Sequence, residues 1–180
     1  KTAYEIRLSL VGSEMCIRDR SYSVLHGATA SPFDALNALR GIRTLSVRTT
    51  HQAASALHIA ETLQRHPAVS AVHYPGLHTH KQHDLAKRQM DHFGTVLTID
   101  LAGGRAAAEH LLDNVKLVHV ATSLGGPETL MSHPRTTTHA SLTDAEAAEQ
   151  GVGPGLLRIS IGLEDPDDLL TDLTNGLIVS

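Results

Sequence analysis

The stretch Gly153-Pro-Gly-Leu-Leu-Arg-Ile-Ser-Ile-Gly-Leu-Glu-Asp-Pro166 carries a strand that runs directly into a helix start. Leu157, Ile159 and Ile161 alternate with Leu156, Arg158 and Ser160, the period of two of a strand with unlike faces. Beyond Gly162, Asp165 suits an N-cap and Pro166 the first helical position, while Asp167 and Asp168 complement the positive end of the helix. Arg158 therefore projects from a strand whose other face is aliphatic. A guanidinium there needs an anion, supplied either by a protein carboxylate or by a ligand.

Outward from this stretch, Leu169, Leu170, Leu173 and Leu177 predict a C-terminal amphipathic helix. Upstream, a short helix is expected from Asp144 to about Glu149, after a loop-rich segment from Ala121 to Thr138. Val115 to Val120 and Gly94 to Leu101 have strand patterns, with Ala102-Gly-Gly104 turning the latter into a helix from Arg105 to about Leu112. Asp84 to Asp91 is expected to be helical, and Val69 to Tyr74 a short strand ended by Pro75-Gly76. A long helix is predicted from about Thr44 to Arg65, with Ala53, Ala56, Leu57, Ala60 and Leu63 as its stripe and His66-Pro67 as its stop. Ser31-Pro32 opens a further helix, with Phe33, Leu36 and Leu39 on one face until Gly41. Strands alternating with helices in this order give an α/β (α+β) fold, helices packed on one small sheet.

Composition narrows the function classes. The chain has 180 residues, 41% hydrophobic and 19% charged, which is the balance of a soluble globular protein. A net charge of −4 with no basic stripe argues against nucleic-acid binding. No apolar run approaches the roughly 20 residues that span a bilayer. One cysteine excludes an internal disulfide framework and favours the reducing cytoplasm.

The first twenty residues, KTAYEIRLSLVGSEMCIRDR, look foreign to the rest. They resemble the in-frame translation of a short-read sequencing adapter. Lys1-Thr-Ala-Tyr-Glu-Ile6 matches the flow-cell primer, and Leu10-Val-Gly-Ser-Glu-Met-Cys-Ile-Arg-Asp19 the transposon end. A targeting segment would need a continuous apolar core and a small-residue cleavage site. The native sequence is accordingly expected to begin near Ser21, and Cys16 is set aside as a nucleophile.

Several chemistries find little support. His78, His80 and His83 cluster, with His92 further on, but lack a carboxylate or thiolate at metal-ligand spacing. There is no G-x-S-x-G elbow for a serine hydrolase. The pairs Gly103-Gly104 and Gly125-Gly126 do not form a G-x-G-x-x-G turn.

One constellation is more specific: Ser123-Leu-Gly-Gly-Pro-Glu-Thr-Leu130, His133-Pro134, Thr136-Thr-Thr-His139, Leu156-Leu-Arg158-Ile-Ser160 and Gly162-Leu-Glu-Asp165. With Ser31-Pro-Phe-Asp-Ala35, Leu39-Arg-Gly-Ile-Arg-Thr-Leu45, His66-Pro67 and Tyr74-Pro-Gly-Leu77, it resembles the C-terminal part of the Cys/Met-metabolism family of pyridoxal-phosphate (PLP) enzymes. That family includes cystathionine γ-synthase, cystathionine γ-lyase and methionine γ-lyase.

The resemblance implies the C-terminal domain of a fold-type I PLP enzyme, with a small, largely antiparallel sheet covered by helices and preceded by a long inter-domain helix. Residues 21–43 would then be the end of the PLP-binding large domain and its connecting helix, and 44–180 the substrate-side domain. It implies that Arg158 grips the α-carboxylate of an amino-acid substrate, helped by the main chain and hydroxyl of Ser123. Thr122, Leu124, Thr138 and His139 would support the site. The expected chemistry is γ-elimination or γ-replacement on homoserine-derived or sulfur amino acids, in a homo-oligomer built as a dimer of dimers. PLP would be held as an imine by a lysine of the large domain. Lys1, Lys81, Lys87 and Lys116 do not match that motif, so the catalytic lysine is expected to lie outside this chain. Ser123-Leu-Gly-Gly with Pro-Glu-Thr-Leu looks more like the γ-synthase and γ-lyase branch than the sulfhydrylases, although Thr122 stands where some cystathionine-handling members carry an acidic residue. An alternative is a stand-alone module that binds small acids, or oligomerises, without catalysis.

Overall fold

The computed structural model describes residues 30–177. The stretch expected to be foreign, with Lys1 and Cys16, and the lead-in up to Thr29 lie outside the described residues. The chain divides into two units, with the boundary in sequence between Thr44 and Leu45.

The first unit contributes helix α1, Pro32–Arg43. Its start is a reciprocal capping box: the Ser31 hydroxyl accepts from the Asp34 amide at 3.2 Å, while the Asp34 carboxylate accepts from the Ser31 amide at 2.9 Å. The Ser31 hydroxyl and amide bonded to Asp34 also hold its carboxyl below the usual carboxylate range. The helix runs two residues past the expected stop at Gly41.

The second unit begins with α2, Leu45–Leu63, which buries Ala53, Ala56, Ile59, Ala60 and Leu63, and also Gln52 and Ser55. Small residues at helical spacing let its axis lie close to a sheet. There follow β1 (Val69–His73), α3 (His83–Gln89), β2 (Val96–Leu101) and α4 (Gly104–Asn114). The chain then forms β3 (His119–Val120), β4 (Leu130–Ser132), a 3₁₀ turn (Pro134–Thr136), α5 (Asp144–Glu149), β5 (Leu156–Ser160) and α6 (Pro166–Gly176). The strand order is β1-β2-β5-β4-β3. Each pair is antiparallel except β3–β4, so the expectation of a small, largely antiparallel sheet with helices is met.

Leu97, Ile99, Leu101, Leu157, Ile159, Ile161 and Met131 share one core with Ala56, Ile59, Ala60 and Leu63 of α2, Ala108 and Leu111 of α4, and Leu169 and Leu173 of α6. Each large aliphatic side chain buried there contributes roughly 1.5–3 kcal/mol. Alternation sends Thr98, Arg158 and Ser132, which are in register across β2, β5 and β4, to the other face. Asp165 caps α6 as expected, its carboxylate accepting the amides of Asp167 and Asp168.

Two expectations are corrected. Val115 to Val120 is not a six-residue strand, because only His119 and Val120 pair with β4. The amides of Lys116, Leu117 and Val118 instead donate to the Asp172 carboxylate of α6, at 2.8, 2.9 and 3.0 Å. A charged acceptor replaces the sheet ladder. Conversely, the segment expected to be loop contains β4, three buried residues whose pairing with β5 is non-local.

The clustered histidines make packing contacts. His83 Nδ1 donates to the Pro75 carbonyl at 2.9 Å, and its ring lies between those of His78 and Phe93. Tyr74 is fully buried, its hydroxyl donating to the Gly94 carbonyl at 2.9 Å.

Burial pushes the Tyr74 phenol up to about 12 from an ordinary 10.0. The native state therefore keeps a proton that the unfolded chain releases, so stability is intact below pH 10.0 and is lost as pH rises towards about 12. Denaturation midpoints should fall across that window, and Tyr74→Phe should remove this alkaline step. A midpoint that declines equally in the phenylalanine variant would assign the loss to other groups. Separately, Asp172→Asn offers one acceptor oxygen to three amides and should cost about 1 kcal/mol in chemical denaturation, mostly through the amide of Val118, the buried residue of the three, while the exposed Lys116 and Leu117 can turn to water.

Candidate functional site

Arg158 stands at the middle of β5, itself the middle strand of the sheet, flanked by Thr98 and Ser132. It is half-buried. Its Nη2 donates to the carbonyl of Thr122 and, at 3.0 Å, to that of Ser123. Nε is buried without a partner, the one buried side-chain nitrogen or oxygen among the described residues in that state. Arg158 takes no part in the ion pairs His58–Asp167, Arg105–Glu109 and Arg135–Asp144. An arginine on a central strand is ordinarily neutralised by a protein carboxylate. This one keeps its charge and a buried donor, and an orphaned donor costs about 1–3 kcal/mol unless an acceptor arrives. The arrangement suits a small anion, and above all a carboxylate.

Thr122 and Ser123 are thus brought to Arg158, through carbonyl oxygens in both cases. A carbonyl only accepts, so this contact aims the guanidinium; it cannot grip an anion. Leu124 is exposed on the same segment. Thr138 and His139 pair with each other, hydroxyl to Nδ1 at 2.8 Å, in the segment after β4. That segment is organised by Arg135, which donates to the carbonyls of His139 and Leu142 and to Asp144. Buried His133 ties it to the approach to β5, its Nε2 donating to the Pro154 carbonyl at 2.9 Å. The hydrogen bonds of Thr138 and His139 run to each other and to Pro134, Arg135 and Leu142, and so do not join them to Arg158.

The groups that hold the 122–129 segment were not singled out from sequence. Gly125 turns it with φ +78°, where a side chain would be strained. Its amide donates to Ser160 Oγ at 2.9 Å. Gln52 Nε2 donates to the carbonyls of Gly126 and Ile161, at 2.8 and 2.9 Å. Leu163 donates to the Pro127 carbonyl at 2.7 Å. Glu164 accepts from the amide and hydroxyl of Thr129, both at 2.7 Å. A Cβ on Gly162 would lie 2.5 Å from Pro127 O and from the Glu128 carbonyl carbon, so the crossing requires glycine. The signal in the sequence was the quoted constellation, whose Gly125, Thr129, Ser160, Gly162 and Glu164 supply these ties without their roles being legible, whereas Gln52 lay outside it.

The lysines among the described residues, Lys81, Lys87 and Lys116, are all exposed. An imine-forming lysine works in a desolvated pocket. These exposed residues do not fit the linkage to a PLP cofactor.

The chain is 44% identical over 151 residues to an O-succinylhomoserine sulfhydrylase of Pseudomonas aeruginosa, covering 84% of this chain and 38% of that protein. An L-methionine gamma-lyase of Fusobacterium nucleatum subsp. polymorphum is 42% identical over 151 residues, with coverage of 84% and 38%. Identity does not separate the sulfhydrylase branch from the lyase branch. The crystal structure of cystathionine gamma synthase from Xanthomonas oryzae pv. oryzae, in complex with aminoacrylate and cysteine, superposes with a TM-score of 0.78 at 45% identity, over 84% of this chain and 39% of that one. The chain thus spans about two fifths of the length of these relatives. The family described as Cys/Met metabolism PLP-dependent enzyme matches residues 10–178, and the chain belongs to it.

Proposed function

We propose that this chain is the substrate-side domain of a PLP-dependent enzyme that eliminates or replaces the γ-substituent of sulfur or homoserine-derived amino acids. Arg158 anchors the substrate's α-carboxylate. The observation that carries this reading is the buried Nε, unpartnered on a guanidinium that no carboxylate among the described residues neutralises. A fixed anchor at one end of the amino acid restricts rotation of the rest, and orientation of that kind lowers the barrier of the chemical step. PLP supplies the electron sink in the complete protein, from residues other than those described. The chain offers Arg158 with its carbonyl braces, a positive, half-buried donor edge that excludes some water and strengthens the contact with an anion. Ser123 lies beside it through its carbonyl, and Leu124, Thr138 and His139 are proposed to support the site from neighbouring segments. The complete protein is proposed to be a cytoplasmic homo-oligomer; among the described residues no helix is long and apolar enough to cross a membrane.

The experiment is Arg158→Lys in the full-length enzyme, assayed for methionine and cystathionine breakdown and for O-acyl-homoserine turnover. Lysine keeps the charge but loses the planar fork, so kcat/KM should fall by about 100-fold, most of it in KM. A change below about twofold with every substrate would remove Arg158 from the site. Loss of activity at KM unchanged would point to a step other than carboxylate binding.

A further inference from the structure

Arg158 is aimed by the carbonyls of Thr122 and Ser123, so whatever fixes the 122–129 segment acts on the donor edge. Thr129 closes that segment and is fully buried. Its hydroxyl proton goes to Glu164 Oε2 at 2.7 Å, while the same oxygen accepts the Gly162 amide at 2.8 Å. Its own amide donates to Glu164 Oε1 at 2.7 Å. One residue thereby binds β4, the exit of β5 and the approach to α6 into a single knot. The ties to Ser160 and Gln52 act further along the segment, at Gly125 and Gly126.

We propose that Thr129 is a positioning residue for the carboxylate site, its hydroxyl latched by Glu164 so that the segment before it holds Arg158 Nε towards the ligand. The proposal rests on the reading of Arg158 as the carboxylate anchor. The required feature is a hydroxyl that donates and accepts at once. Serine provides it; valine has the shape of threonine and provides neither bond.

The test uses the full-length enzyme, comparing the apparent affinities of L-methionine and of its methyl ester, which lacks the anion, as substrates or competitive inhibitors. The wild-type enzyme should prefer the acid. Thr129→Val should weaken acid binding about tenfold and erode the acid-over-ester preference by the same factor, while Thr129→Ser stays within about twofold of wild type. Loss of stability alone would leave the preference of the folded fraction unchanged. Glu164→Gln, at a half-buried position that tolerates the amide, should shift the preference in the same direction as Thr129→Val and covers the case in which the buried variant does not fold. Wild-type preference in either folded variant would overturn the positioning role and leave Arg158 as the anchor. Absence of any acid preference in the wild-type enzyme would overturn the anchor itself, and this inference with it.

Discussion

Everything around Arg158 depends on a main-chain crossing at Gly162. There the segment leaving β5 passes against Pro127 and Glu128 so closely that a Cβ would meet backbone atoms at 2.5 Å. Because that contact is backbone on backbone, a larger residue could not be absorbed by a side-chain rotation. The crossing brings Leu163 within reach of the Pro127 carbonyl and Gly162 within reach of Thr129. It thereby fixes the distance from the Ser123 loop to the strand that carries Arg158. Core packing of β5 against three helices sets one side of the geometry, and the glycine crossing sets the other.

What was legible in the sequence follows from how local the cause is. The β5–α6 stretch was readable because strand alternation, an N-cap aspartate and an N1 proline all act within a few residues. The N-cap at Ser31 and the helical stripe of α2 were readable for the same reason. Val115–Val120 misled because its apolar pattern suits a strand, while the groups that claim three of its amides belong to Asp172, on another helix. β4 was missed because three residues are too few to show a period, and its identity as a strand comes from pairing with β5.

The site divides along the same line. Arg158 stood out as a cation on a strand with an aliphatic opposite face. The residues that aim it did not, because each works through contacts distant in sequence: Gln52 from α2, Ser160 from the end of β5, Glu164 from the approach to α6. Gln52 is instructive. It sits among alanines on a helix and would pass for a solvated polar residue, yet it is 2% exposed and spends both amide protons on carbonyls of two different segments. Thr138 and His139 were placed near the site by resemblance, and the bonds they make are to each other and to the Arg135 framework.

The choice of braces bears on what the site can do. A carboxylate facing Arg158 would hold the guanidinium firmly but would cancel its charge, and an incoming anion would have to displace it. Carbonyl oxygens orient the same group through their dipoles and leave the full positive charge in place. Two of them on Nη2 also occupy donors on one end of the fork, so that Nε remains as a defined buried donor. Such a guanidinium is poorly satisfied until an anion arrives, and that deficit is what makes anion binding favourable. The loop that bears the carbonyls must then be rigid, because movement would let water or a nearby carboxylate complete the guanidinium instead. This accounts for the density of ties on a short exposed segment: a left-handed glycine, a glycine crossing, and side chains from three separate elements converging on a handful of backbone groups.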